Sequence, residues 1–210
     1  MQGPEELVAC LRPAIADERV LQAIARLPRE RFVLASERRR AYENVALPIE
    51  CGQTISQPLV VARMLEVLDL DPNDRVLDIG TGSGYHAALL ARLTTHVWTI
   101  ERHPELSALA ERTIRGLGIS NVTFVVGDGS LGLPEEEPFD AINVAAAGVS
   151  MPPALEEQLA PDGRLVVPIG ADGQHLTLVQ RTPSGLERTA LDPVRFVPLV
   201  EDGEPPTFLA

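Results

Sequence analysis

A chain of 210 residues has room for one substantial core and an appendage, and falls short of two full domains. Hydrophobic residues make up 45% and charged residues 23%, which argues against wholesale disorder, and no apolar run reaches the roughly 18 residues of a membrane-spanning helix. Acidic residues outnumber basic ones 30 to 18, every basic residue being arginine, so the net charge of −12 speaks against nucleic acid, whose phosphates call for cationic side chains. The two cysteines, Cys10 and Cys51, lack metal-ligand spacing and read as free thiols in a reducing compartment; no metal site is expected. The start of the chain lacks a basic, then apolar, leader, and we expect a cytoplasmic protein that does not engage membranes.

Apolar positions at helical spacing (Leu7, Val8, Leu11, then Val20, Leu21, Ile24, Leu27) predict two helices divided by Pro13, the second ended by Pro28. Residues 29–50 are mixed and arginine-rich, with no clear period. Pro58 suits a first helical turn, and Val60, Val61, Met64, Leu65 and Leu68 continue that helix. From Asp74 strands alternate with helices: strand 75–80, helix 84–93, strand 96–101, a helix from Pro104 to Gly116 or Gly118, strand 122–126, strand 139–145, helix 153–159 and strand 163–169. Such alternation implies right-handed crossovers and a parallel sheet covered on both faces. After Gly170 the helices stop, and 175–181 and 186–199, joined through Pro183-Ser184-Gly185, read as consecutive antiparallel strands. The expected architecture is α/β: one doubly wound, mostly parallel Rossmann-like domain over residues 1–210. It comprises an N-terminal helical extension (1–70), a cofactor-binding core (74–170) and C-terminal strands and tail (171–210).

The run Asp78-Ile79-Gly80-Thr81-Gly82-Ser83-Gly84 follows the first core strand, where glycines let a ligand approach the backbone. A dinucleotide fingerprint wants glycine at the first, third and sixth positions; counted from Gly80, the sixth is Tyr85. Asp78 would repel a pyrophosphate and suits a ligand carrying an ammonium group. Glu101 closes the second strand, where an acid can accept both ribose hydroxyls. Asp128, in Gly127-Asp128-Gly129, is placed to accept from an adenine amino group. Three acids at three strand ends fit S-adenosylmethionine better than a dinucleotide. The cofactor set is therefore Asp78, Gly80, Thr81, Gly82, Ser83, Gly84, Tyr85, Glu101, Asp128 and Gly129. Trp98 reads as core, and His86 as a histidine on the helix surface.

Three segments outside the loop resemble the protein-L-isoaspartate O-methyltransferase family. They are Arg29-Glu30-Arg31-Phe32-Val33 with Ala41-Tyr42 and Leu47-Pro48-Ile49; Gly52-Gln53-Thr54-Ile55-Ser56-Gln57-Pro58; and Pro193 to Leu199. With the matching stretches between them the similarity runs from about Arg26 to about Val200. Glu50-Cys51, His86 and Asn143 depart from the family's usual residues.

The resemblance implies methyl transfer from S-adenosylmethionine to the free α-carboxylate of L-isoaspartyl residues in damaged proteins, with S-adenosylhomocysteine as product and repair proceeding through succinimide. It places Ser56 at the catalytic position and Gln53, Thr54, Ile55 and Gln57 along the substrate. A carboxylate is already a competent nucleophile, so the site has to orient and desolvate it. A purely architectural reading of Ser56 is an N-cap for the helix after it. Pro193 to Leu199 would lie at a sheet edge, open to backbone pairing with a peptide. Other readings are a carboxyl methyltransferase for a different acceptor, such as an aspartyl peptide or small acid, and a cofactor-binding module without turnover. A monomer is expected.

Overall fold

A computed structural model of the protein describes residues 3–201 and the backbone of 207–208. Helices α1 (Pro4–Leu11) and α2 (Glu18–Arg26) flank the turn containing Pro13. Asp17 caps α2 by accepting from the Arg19 amide at 2.7 Å, and α2 buries Val20, Leu21, Ala23 and Ile24 on one face. The arginine-rich stretch forms 3-10 turns at Arg29–Arg31 and Ala35–Arg40. A small antiparallel hairpin of β1 (Leu47–Pro48) and β2 (Thr54–Ile55) follows, closed by a turn at Glu50–Gly52. Helix α3 (Pro58–Leu68) starts on its proline as expected, and buries Val61, Met64, Leu65 and Leu68.

The core continues as β3 (Arg75–Ile79), α4 (Tyr85–Leu93), β4 (His96–Glu101), α5 (Pro104–Gly116), β5 (Val122–Val126), β6 (Phe139–Val144), α6 (Pro153–Glu157), β7 (Leu159–Ile169), β8 (Gln174–Thr182) and β9 (Gly185–Val194). A short β10 (Thr207–Phe208) pairs antiparallel with β5. Strand order is β10-β5-β4-β3-β6-β7-β8-β9. The pairs β3–β4, β4–β5, β3–β6 and β6–β7 are parallel; β7–β8 and β8–β9 are antiparallel. The chain thus builds outward from β3 through β4 to β5, then returns to lay β6 on the other side of β3. The expected doubly wound, mostly parallel sheet with an antiparallel C-terminal finish is therefore what forms. The reversal beside β3 opens a crevice at the strands' carboxyl ends, the place such sheets hold ligands.

Both sheet faces are covered, so the central strands are buried along nearly their whole length rather than alternating, with Asp78, Thr99 and Asn143 among their few polar members. Val76 packs with Leu21, Met64, Leu65 and Leu90 on one face; Leu77 and Ile79 pack with Trp98, Phe139, Ile142 and Leu165 on the other. Truncating one of these fully buried leucines, Leu65→Ala for instance, would cost roughly 2–5 kcal/mol. Trp98 is core, its ring 5.8 Å from that of Phe139 and 4.6 Å from the Arg75 guanidinium carbon.

Two expectations change. β9 ends at Val194, so Arg195 to Leu199 is not an edge strand. Instead the segment turns inward: Ala147 N donates to Val197 O and Leu199 N to Ala147 O, both at 2.8 Å. The Gln174 side chain steadies the turn, accepting from Phe196 N at 2.6 Å and donating to Phe196 O at 3.2 Å. The hairpin and β10 were not expected, because two-residue strands carry no readable period.

Candidate active site

The glycine loop leaves β3 at Ile79 and enters α4 at Tyr85. Gly80, Gly82 and Gly84 all have positive φ, at +89°, +52° and +87°. At Gly84 a Cβ would lie 3.0 Å from both Ala110 Cβ and Ile114 Cδ1, so conformation and packing against α5 both select glycine. The amides of Gly80 and Thr81 donate to Ile100 O at 2.8 and 3.2 Å, and that of Gly82 donates to Glu101 Oε2 at 2.9 Å. β4 therefore holds the loop along its first half.

Beneath the loop lies a buried polar chain. The Asp78 carboxylate accepts from Asn143 Nδ2 at 2.7 Å and from Thr99 Oγ1 at 2.8 Å. Because Thr99 spends its proton on Asp78, the 2.6 Å contact between Thr81 Oγ1 and Thr99 Oγ1 has Thr81 as donor. Asp78 is fully buried, and burial pushes its carboxyl up to about 6 against the pull of the Asn143 and Thr99 hydrogen bonds. It supports the loop from below and is not among the cleft's lining residues. This placement differs from a carboxylate meeting a ligand's ammonium group directly.

His86 is a correction. It is buried, not at the helix surface, because α4 is covered almost all round between the sheet and α2. Its Nδ1 lies 3.3 Å from Asn143 Nδ2, an amide nitrogen that can only donate, so Nδ1 accepts and the ring proton sits on Nε2. Burial pushes the imidazole down to about 3, and it stays neutral. His86 and Asn143, two residues that depart from the usual family pattern, are thus partners.

A cleft of about 100 Å³ opens above the loop. Gly80, Gly82 and Glu101 form one side, and Val197 to Val200 the opposite wall. Glu101 Oε1 accepts from His103 N at 3.0 Å, so each carboxylate oxygen holds one backbone amide and keeps a lone pair for another donor. Gly127 and Gly129 line the far end, while Asp128 itself is buried and accepts from Ser130 N and Oγ at 2.9 and 2.7 Å. A Cβ on Gly129 would fall 2.4 Å from Ile79 Cγ2, which is how closely this turn seats on β3. Arg102 and His103 also border the cleft, which adds basic groups the strand-end reading did not count. Apolar walls from Ile79, Ile100 and Leu199, a backbone floor free of side chains and an acid at the β4 end suit a flat base joined to a sugar diol. The residues present therefore fit an adenosine-type cofactor.

A second cavity of about 490 Å³ adjoins the cleft and shares Thr54, Ala145 and Val197 with it. Ala46, Ser56, Gln57, Val60 and Pro193 to Phe196 complete its walls. Gln53 borders the first cleft; Ile55, Thr81, Ser83 and Tyr85 meet in a smaller cavity between hairpin and loop. The N-cap of α3 is Gln57, with no side-chain capping bond. Asn44 does that work instead, its Oδ1 accepting from Leu59 N at 2.9 Å. The Ser56 hydroxyl has no hydrogen-bond partner among the described residues, and the capping role is not its own.

Arg29 was not singled out by its sequence context, yet it is the arginine of its stretch that is wholly buried. Its guanidinium donates to Ala41 O at 2.5 Å, Val45 O at 3.2 Å and Ser56 O at 3.1 Å, and lies 5.7 Å from the Tyr85 ring centre. No carboxylate pairs with it among the described residues, and burial pushes it down to about 10.

Among the described residues no cluster of three His, Cys, Asp or Glu side chains could hold a metal, and no helix is long and apolar enough to cross a membrane. Residues 3–204 match the family model for protein-L-isoaspartate(D-aspartate) O-methyltransferase. The chain is 53% identical to a protein-L-isoaspartate O-methyltransferase of Koribacter versatilis over 89% of its length and 84% of that protein's. It is 50% identical to one from Parvibaculum lavamentivorans, covering 94% and 90% of the two chains. The fold also superimposes on the crystal structure of a putative protein-L-isoaspartate O-methyltransferase from Plasmodium falciparum in complex with S-adenosyl-L-homocysteine. That match has a TM-score of 0.84 and 27% identity, and covers 95% of this chain and 99% of that one. With a matching model along nearly its whole length and relatives at half identity, this chain belongs to the protein-L-isoaspartate(D-aspartate) O-methyltransferase family.

Proposed function

We propose that this protein carries out the family's reaction, methyl transfer from S-adenosylmethionine to the free α-carboxylate of L-isoaspartyl residues in damaged proteins and peptides. The observation that carries the reading is the junction of two cavities: the glycine-loop cleft and the Ser56 cavity meet at Thr54, Ala145 and Val197. Bound S-adenosylmethionine supplies an electrophilic sulfonium methyl, which a carboxylate oxygen accepts as the carbon–sulfur bond breaks.

Each side chain then has a role its position supports. Gly80, Thr81, Gly82, Ser83, Gly84 and Tyr85 shape the loop, Asp78 holds it from below, and Glu101 accepts from the ribose hydroxyls. Asp128 and Gly129 close the adenine end, Asp128 mainly by fixing the turn with its own hydrogen bonds. Ser56, its hydroxyl spared from capping, donates to the acceptor carboxylate and orients one oxygen toward the methyl. Gln53, Thr54, Ile55 and Gln57 line the path of the peptide. No base is needed, since the acceptor arrives ionised. The ester so formed closes to succinimide without catalysis, and hydrolysis returns part of it to aspartate. We read residues 1–210 as one functional unit, monomeric and cytoplasmic, acting on flexible polypeptide and on neither nucleic acid nor membrane.

The test is transfer of labelled methyl to paired peptides that differ only in an isoaspartyl or aspartyl linkage, scored as base-labile ester. Label confined to the isoaspartyl peptide is expected. Equal labelling of both, or of neither, would remove the repair assignment.

A further inference from the structure

The acceptor side of the site is built from a segment with little regular structure. Between Ala41 and Gln57 lie only the hairpin β1–β2 and one short turn, yet this stretch supplies Ala46, Thr54, Ser56 and Gln57 to the acceptor cavity. Two-residue strands cannot hold themselves in place. Arg29 stands at the centre of the segment: its guanidinium donates to the carbonyls of Ala41, Val45 and Ser56. Two of those oxygens lie near the start of the stretch and the third at its far end. The other face of the guanidinium lies over the ring of Tyr85, the residue that begins α4 directly after Gly84.

A buried cation is costly unless something specific requires it, and surface arginines normally remain in water. Here no carboxylate offsets the charge among the described residues; backbone carbonyl dipoles and an aromatic face do. A planar group with several fixed donors can serve three carbonyls at once, which an ammonium on a flexible stem cannot do in the same geometry. We propose that Arg29 is a positioning residue for the methyl acceptor: it fixes the Ser56 backbone against the cofactor loop and so sets the register between acceptor carboxylate and methyl donor. The inference rests on the repair reading of the site and adds to it a residue that touches neither substrate nor cofactor.

The experiment compares the native protein with Arg29→Lys and Arg29→Met. Calorimetric binding of S-adenosylhomocysteine reports the cofactor half alone, and steady-state kinetics with an isoaspartyl peptide reports the acceptor half. For Arg29→Lys we expect kcat/KM for the peptide to fall by about tenfold or more, while S-adenosylhomocysteine affinity changes by less than about threefold. Amide hydrogen exchange supplies a readout independent of turnover. Exchange should quicken across residues 41–57 in Arg29→Lys and stay unchanged in β3 and β4. Arg29→Met should show the same split more strongly; if it does not fold, the lysine variant carries the test. Parallel loss of cofactor and peptide binding, or unchanged exchange across 41–57, would reduce Arg29 to a general stabilising residue and overturn the proposal. A native protein that labels no isoaspartyl peptide would instead overturn the repair reading, while the exchange measurement would still decide whether Arg29 orders the segment.

Discussion

Asn143 Nδ2 donates to Asp78 Oδ1 at 2.7 Å, joining two adjacent parallel strands by their side chains directly below the glycine loop. A residue departing from the family's usual pattern on β6 is therefore the partner of the acid that opens the loop motif on β3. The same amide turns its other proton to His86 Nδ1, so a single side chain sets both the environment of Asp78 and the tautomer of His86.

Removing that partner should be expensive. Asn143→Leu keeps the volume roughly but leaves a buried carboxylate oxygen unpaired. A loss of about 2–4 kcal/mol is expected in urea unfolding. A change below about 0.5 kcal/mol would mean that Asp78 is held by Thr99 alone.

The pH dependence of stability has a definite sign at His86. Its imidazole is pushed down from 6.5 to about 3 by burial, so its contribution is present above pH 6.5 and lost as pH falls. Asp78 works the opposite way: its carboxyl, raised from 3.8 to about 6, favours the folded state at low pH, and that contribution is lost as pH rises through 6. Replacing His86 by glutamine removes the first slope only. The stability gap between native protein and His86→Gln should narrow by roughly 1.4 kcal/mol for each pH unit below about 6.5. A gap independent of pH between 7 and 4.5 would show that His86 takes up a proton without unfolding.

Two glycines with similar backbone angles should respond differently to alanine. At Gly84 the added Cβ meets α5 at 3.0 Å, whereas at Gly52, φ +67°, nothing lies within 4 Å. Gly52→Ala should cost about 1 kcal/mol from conformation alone, and Gly84→Ala about 2–3 kcal/mol from conformation plus crowding. Denaturant midpoints of the two variants decide the matter, and equal costs would mean that α5 shifts freely.

Glu101→Gln keeps the shape of the side chain and replaces one charged acceptor oxygen with a donor amide. Since Glu101 steadies both Gly82 N and His103 N while facing the cleft, S-adenosylhomocysteine affinity should fall roughly ten- to a hundredfold by calorimetry. Unaltered affinity would take Glu101 out of the cofactor site.

Ser56 and Asn44 offer a crossed test. Ser56→Ala should lower kcat by about tenfold or more and leave the melting temperature and S-adenosylhomocysteine affinity nearly unchanged. Asn44→Ala should cost about 1 kcal/mol of stability, because it removes the cap of α3. The reverse pattern would return Ser56 to the capping role.

The alternation of β3 to β7 with α4 to α6 was legible because a doubly covered parallel sheet requires apolar strands separated by helix-length crossovers, and both signals survive in one sequence. The carboxyl-end positions of Gly80, Glu101 and Asp128 followed from it. What could not be read was side-chain direction where no period exists. Arg29 looks like Arg31 or Arg38 along the chain, and only the closure of the 41–56 segment around it makes it different. His86 lies inside because the alanines and leucines of Tyr85 to Leu93 leave hardly any polar face, the mark of a helix covered on all sides, so a surface position for its one histidine does not follow. The hairpin and the inward turn after Val194 are held by a few hydrogen bonds, Ile49 with Gln53, Gln174 with Phe196, and Ala147 with Val197 and Leu199, that leave no compositional trace.

The wall formed by Val197 to Val200 has a consequence for synthesis and turnover. The glycine loop is complete once the first half of the chain exists, but the cleft above it has no opposite side until residues far downstream have folded back onto Ala147. A growing chain, or one clipped after β9, would keep the sheet and the loop while exposing Ile79, Ile100 and the acid at the β4 end to water. Capture of the cofactor would then report that the segment after β9 has folded back onto Ala147.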